Sequence, residues 1–394
     1  MNSFRNITFS FIALFLGGSA WAASGDLDST FASGGISATL NATGTDIAVQ
    51  SDGKLVTAEN VLTRRNPNGS LDTTFGSGGT VNVAARLVAV QADGRIIVDT
   101  HQLAVPAQSS SLSRYLSNGA IDTTFGTSGS TSNLPVSATD MLIQADGKIL
   151  LVGGGSLVRL NNNGSLDAGF GAGGIISTDG YSLALQADGK ILVAGTAPIV
   201  QYSATGVTRY LANGSLDSTF GSNGTVTTSL PSVVGVAVQA DGKIVVVGST
   251  GNLAVARYNS NGSVDSAFGS SGMTVTSFGV AGSGFNQVAI QLDGKIVAMG
   301  NGGTRLAQSG YGRNFYDNNM VLVRYDSNGM IDGRFAHQGI AEFDYDHWDD
   351  YAQSMALQAD GKILVIGYSG TGTTKSGPYS WATTNSSIIL RYLP

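Results

Sequence analysis

Apolar residues along this chain fall in short runs, each closed by Gly, Asp or Asn. The stretch VAVQADGKIVVVG (236–248) is representative, joining an alternating run to a continuous one across an Asp-Gly dipeptide. Alternation suits a half-buried strand, whereas a continuous run suits a strand covered on both faces. Asp-Gly is expected to supply the positive φ angles of a tight hairpin between them. A third run, such as NLAVARY, ends in an arginine and is followed in most copies by an Asn-Gly turn. A fourth strand is expected after the next Phe-Gly, as in TVTTS (225–229).

These phrases recur. Gln-x-Asp-Gly-Lys/Arg starts at Gln50, Gln91, Gln144, Gln186, Gln239, Gln291 and Gln358. Asp-x-x-Phe starts at Asp28, Asp72, Asp122, Asp167, Asp217, Asp265 and Asp332, and a strand-end arginine lies at Arg64, Arg114, Arg159, Arg209, Arg257, Arg324 and Arg391. Seven four-stranded units of 40–50 residues predict an all-β fold, a seven-bladed β-propeller. An open solenoid would need atypical caps at both ends. Here the ends complement each other instead. The chain stops at RYLP (391–394), and SGDLDSTF (24–31) is the continuation that the last repeat lacks. The N-terminal segment is therefore expected to complete the last blade and close the ring.

The phrases VQADGKIVVVG and RYNSNGSVDSAFGSSG (257–272), with their counterparts, resemble the delta-60 repeat family of bacterial NHL-like propeller proteins. The resemblance covers nearly the whole chain after residue 22. It implies a propeller, often exported or surface-borne, with no established activity and no catalytic residues to carry over.

Composition agrees with an all-β reading, since charge is scarce at 12% while Gly occupies 55 positions. Arg5, the apolar run Ile7 to Leu16 and Ala20-Trp21-Ala22 read as a signal peptide over 1–22, leaving 23–394 as a single propeller domain. The expected location is secreted or periplasmic, with cell-surface association a further option. No later run is long and apolar enough for a membrane span. The absence of cysteine excludes disulfides, thiolate metal sites and a Cys nucleophile. Of 21 basic and 27 acidic residues, 14 of each belong to the repeated phrases, so the net charge of −6 comes from the remainder. That balance works against nucleic-acid binding. Motifs such as GFGAGG (169–174) are turns of the repeat, because a dinucleotide loop would have to open a helix. The three histidines, His101, His337 and His347, form no His-x-x-x-His zinc pair.

Candidate chemistry sits where the repeat is broken. Segments 301–319 and 368–387 extend the second-to-third strand connections of the sixth and seventh units, and 342–352 precedes the inner strand of the seventh. In an up-and-down blade these connections share one face. They carry the candidate ligand residues Tyr311, Tyr316, Asp344, Asp346, His347, Trp348, Asp349, Tyr351, Tyr379 and Trp381, with Tyr345 and Asp350 beside them. Aromatic rings beside carboxylates suit a saccharide or a protein partner. The acidic run would also suit calcium, and packing of the loops on one another is the bland reading. A second candidate surrounds the channel mouth, four residues before each repeat Gln, where Asp46, Asp140 and Gln287 stand among Leu87, Ser182, Gly235 and Ser354, and where the two aspartates would suit a cation or a small polar ligand. The expected function is a monomeric binding or interaction module without a cofactor. The alternative is a propeller hydrolase, lactonase- or glycosidase-like.

Overall fold

The computed structural model describes residues 22–100, 109–196, 205–277, 284–308, 314–345, 349–375 and 381–394. Their strands form seven sheets, six of four strands and one of three, arranged as a seven-bladed β-propeller. Blades 1 to 6 open with the inner strands Gly44–Val49, Leu87–Val90, Asp140–Ile143, Gly180–Leu185, Ser232–Val238 and Gly284–Ile290. Blade 7 opens with Asp350–Leu357. Blade 2 is the three-stranded one, since its outermost segment makes only isolated bridges, Ser113 with Ser130 and Ser110 with Leu134.

Packing explains the two kinds of apolar run. In Ile244–Ser249, the second strand of blade 5, Ile244 and Val246 pack with Leu192, Val207 and Phe220 of blade 4. Val245 and Val247 pack with Val288, Ile296 and Ala298 of blade 6. Each face of the strand meets a neighbouring sheet, so both sets of positions must be apolar. The Asp-Gly hairpins differ from expectation in one respect. Gly242 has φ +83° and donates its N–H to the Gln239 carbonyl, but Asp241 is not among the residues with positive φ. This is a three-residue loop, a type I turn followed by one left-handed glycine. The aspartate instead accepts the Lys243 N–H at 3.1 Å, which stabilises the turn locally.

The other repeated residues join blade to blade. All seven phenylalanines of Asp-x-x-Phe are fully buried, and the repeat arginine lies over each ring, Arg209 at 4.4 Å from the Phe220 centroid. Arg209 Nε donates to Asp217 at 2.8 Å, and Nη1 donates to the Ser260 carbonyl of the next blade at 2.5 Å. Hydrogen bonding from Thr219, followed by the Arg209 charge, holds the Asp217 carboxyl below the usual carboxylate range. Arg64, Arg114, Arg159, Arg257 and Arg391 make the equivalent bonds to the next blade.

Ring closure follows the same pattern. Ile36–Leu40 pairs antiparallel with Ser386–Leu390 as the outer strand of blade 7. Asp28 N–H donates to the Arg391 carbonyl, and the Asp28 carboxylate lies 2.9 Å from the Arg391 guanidinium. Phe31 is wedged among Ile47 and Leu55 of blade 1 and Leu364, Ile366 and Ile389 of blade 7. The N-terminal segment thus supplies the strand, the aspartate and the phenylalanine that the last repeat lacks.

Candidate functional site

The inner strands converge on a funnel of about 390 Å³. Its wall includes Thr45, Asp46, Arg86, Thr139, Asp140, Asn286, Gln287 and Ser354. The three channel-mouth residues singled out by sequence, Asp46, Asp140 and Gln287, are therefore brought into one cavity. Their immediate predecessors were not anticipated, because strict alternation would turn them to the opposite face. A β-bulge explains their presence. The register slips at Thr45, Tyr181, Val234, Asn286 and Gln353, so two successive residues oppose one on the second strand. Bulges re-aim side chains in this way near functional sites. The signal available in the sequence was that this preceding position also varies, and is mostly polar, within a strand otherwise rich in Ala and Val.

The funnel residues also latch the blades together. Asp46 accepts N–H bonds from Ile47 at 2.9 Å and from Val88 of the next blade at 2.8 Å. Ser354 of blade 7 donates its hydroxyl to the same carboxylate at 2.7 Å. Asp140 repeats the arrangement with Met141 at 2.7 Å and Leu183 at 2.8 Å. Gln287 Oε1 accepts the Met355 N–H at 2.5 Å. Burial in the funnel wall raises the Asp46 carboxyl to about 6 despite its three donors, with the Asp140 charge adding to the rise. Burial raises Asp140 as well. Arg86 is the cation of this wall, and its guanidinium lies 3.2 Å from the buried Asp99. The opposite mouth is of mixed character, lined by Val49, Val90, Ile290 and Leu357 together with the repeat glutamines Gln50, Gln91, Gln291 and Gln358, and Leu292 is 94% exposed where the other repeats carry Ala or Ser.

The two predicted loop extensions are long hairpins rather than irregular loops. Ile296–Gln308 pairs with Asn314–Tyr325 in blade 6, and Ile363–Lys375 pairs with Trp381–Tyr392 in blade 7. Both extend the second-to-third strand connection, on the face where the inner strands begin and the polar funnel opens. At their base Asp349 Oδ1 accepts bonds from the Asn318 N–H at 3.1 Å and side-chain amide at 3.0 Å. Tyr351 and Tyr368 lie 5.3 Å apart between ring centroids. Asp344 and Asp349 are exposed, whereas Tyr351 is half-buried. Tyr316 and Trp381 are placed on strands by their backbones only. Tyr311, Asp346, His347, Trp348 and Tyr379 lie outside the described residues. Among the described residues there is no group of three His, Asp or Glu arranged to hold a metal ion. No helix among them is long and apolar enough to cross a membrane.

Fold and funnel together define a seven-bladed β-propeller with a polar funnel at one channel mouth. Four segments, 91–125, 144–170, 186–220 and 239–268, match the family model described as a domain of unknown function (DUF5122) beta-propeller. Among solved structures, the chain is similar to virginiamycin B lyase from Staphylococcus aureus at 12% identity, covering 90% of this chain and 99% of that one with a TM-score of 0.53. It is also similar to the WD40 beta propeller domain of Doa1 at 10% identity, covering 94% and 97% with a TM-score of 0.53. At these identities the likeness is one of fold. No functionally curated protein matches the chain.

Proposed function

We propose that the protein is an exported propeller of the delta-60 repeat type that binds a small saccharide-like ligand at its polar funnel mouth. The observation that carries this reading is the convergence of Asp46, Asp140 and Gln287 with their bulged neighbours on one cavity of about 390 Å³. That volume falls in the range of small-molecule sites, roughly 300–1,000 Å³. Hydroxyl groups of a sugar complement such a wall, since each can donate to a carboxylate and accept from an amide or guanidinium. The hairpins of blades 6 and 7 rise from the same face as the funnel mouth.

The reading is tested by titrating the protein with monosaccharides and sugar lactones, following heat, tryptophan emission and product together. Saturable binding that weakens at least tenfold in Asp140→Asn, with no product formed, is the expected result. Binding that ignores Asp140→Asn and collapses in Trp381→Ala would move the site onto the hairpins. Steady product release would make the protein a hydrolase instead.

A further inference from the structure

The seven inner strands repeat one hydrogen-bonding pattern, and its exceptions point to the chemistry of the ligand. In each blade a bond between the repeat Gln N–H and the Lys or Arg carbonyl, such as Gln239 to Lys243, sets the ladder. Three residues earlier, at Ile47, Val88, Met141, Leu183, Val236, Val288 and Met355, the pair across the ladder is of the non-bonded kind. There the N–H turns away from the second strand, to the side from which the funnel residues Asp46, Asp140 and Gln287 reach it in the other blades.

Five of these seven donors are taken by side chains. Asp46 holds Ile47 and Val88, Asp140 holds Met141 and Leu183, and Gln287 holds Met355. Val236 and Val288, in the adjacent blades 5 and 6, are capped by no side chain among the described residues. Gly235 accounts for the gap. It occupies the position of Asp46 and Asp140, and a Cβ built there would lie 2.8 Å from Val247 Cγ2, which would have to shift, and 3.5 Å from the Val288 nitrogen. A side chain at 235 would cover the donor that the glycine leaves open. In blades 1 and 2, and again in blades 3 and 4, the group spanning the equivalent pair of N–H donors is a carboxylate.

Resting on the funnel reading above, we propose that the N–H groups of Val236 and Val288 bind a carboxylate of the ligand, and that the ligand is a small sugar acid such as a hexuronate. Its carboxylate takes the place that Asp46 and Asp140 fill in the other blades. Its hydroxyls face Asp46 and Asp140, whose oxygens already accept backbone N–H bonds and so suit single hydroxyl hydrogens better than an ammonium seeking several acceptors.

Glucuronate and glucose distinguish the subsite from the funnel reading. In calorimetric titration, glucuronate should bind at least tenfold more tightly than glucose. In amide-resolved NMR, it should shift the Val236 and Val288 resonances. Gly235→Asp, which places the chain's own carboxylate over the pair, should abolish the advantage of glucuronate. Equal affinity for the two sugars, or glucuronate shifts confined to amides away from Val236 and Val288, would overturn the subsite and leave the funnel reading standing. Failure of both sugars to bind would overturn both. Should Gly235→Asp fold poorly, the wild-type amide shifts decide the matter alone.

Discussion

Phe31→Ala tests the closure of the ring at a single residue. Phe31 is fully buried between blades 7 and 1, and the Arg391 guanidinium lies 4.6 Å from its ring centroid. Truncating a fully buried phenylalanine costs about 3–5 kcal/mol, from lost transfer energy and the cavity left behind. With unfolding entropy near 2.1 cal/mol/K per residue over about 370 residues, 4 kcal/mol corresponds to a fall of about 5 °C in Tm. Phe220→Ala is the internal reference. Phe220 occupies the same repeat position, equally buried, with Arg209 at 4.4 Å, but in a part of the ring where the chain runs on without a break. Calorimetry at one scan rate should give the two variants the same fall in Tm within about 2 °C. If Phe31→Ala left Tm unchanged while Phe220→Ala lowered it by about 5 °C, the N-terminal segment would not be holding the last blade.

Further perturbations separate the other roles. Asp46 has a raised folded-state pKa, so its contribution to stability is complete below about pH 4 and is lost as the pH climbs through about 6. At about 1.4 kcal/mol per pH unit, denaturant titrations should show wild type losing about 2 kcal/mol relative to Asp46→Asn between pH 4 and 7. A difference independent of pH would refute the assignment. Arg209→Lys keeps the charge but cannot reproduce both the Nε bond to Asp217 and the Nη1 bond to the Ser260 carbonyl. It should destabilise by about 2 kcal/mol in the same assay, from a lost charge-assisted bond and an orphaned carbonyl. Replacing 303–317 by a two-residue turn removes only hairpin beyond the Gly302–Asn319 pair and should change stability by less than about 1 kcal/mol. A large loss there would mean that the hairpin is part of the core.

Repetition made the scaffold legible in the linear chain. A strand buried on both faces must be apolar at every position, and seven such runs at near-regular spacing leave few folds besides a propeller. The termini carried the closure, since RYLP lacks what SGDLDSTF supplies. Their pairing across the whole length of the chain follows from the same contacts that each repeat makes with itself. Even the channel-mouth positions of Asp46, Asp140 and Gln287 stood out as variable residues in an otherwise repeated phrase.

The funnel chemistry was decided in three dimensions. A bulge is a slip in hydrogen-bond register and leaves no fixed mark on side-chain identity, so the turning of Thr45 and Asn286 toward the cavity became visible only with the ladder in place. The same holds for the latches, where Asp140 reaches Leu183 of the next blade, 43 residues further along the chain. Gly235 illustrates the limit best. In the sequence it is one of 55 glycines. Only the neighbouring blade, which brings the Val288 nitrogen to 3.5 Å from where its Cβ would be, links the missing side chain to an N–H that no side chain caps among the described residues.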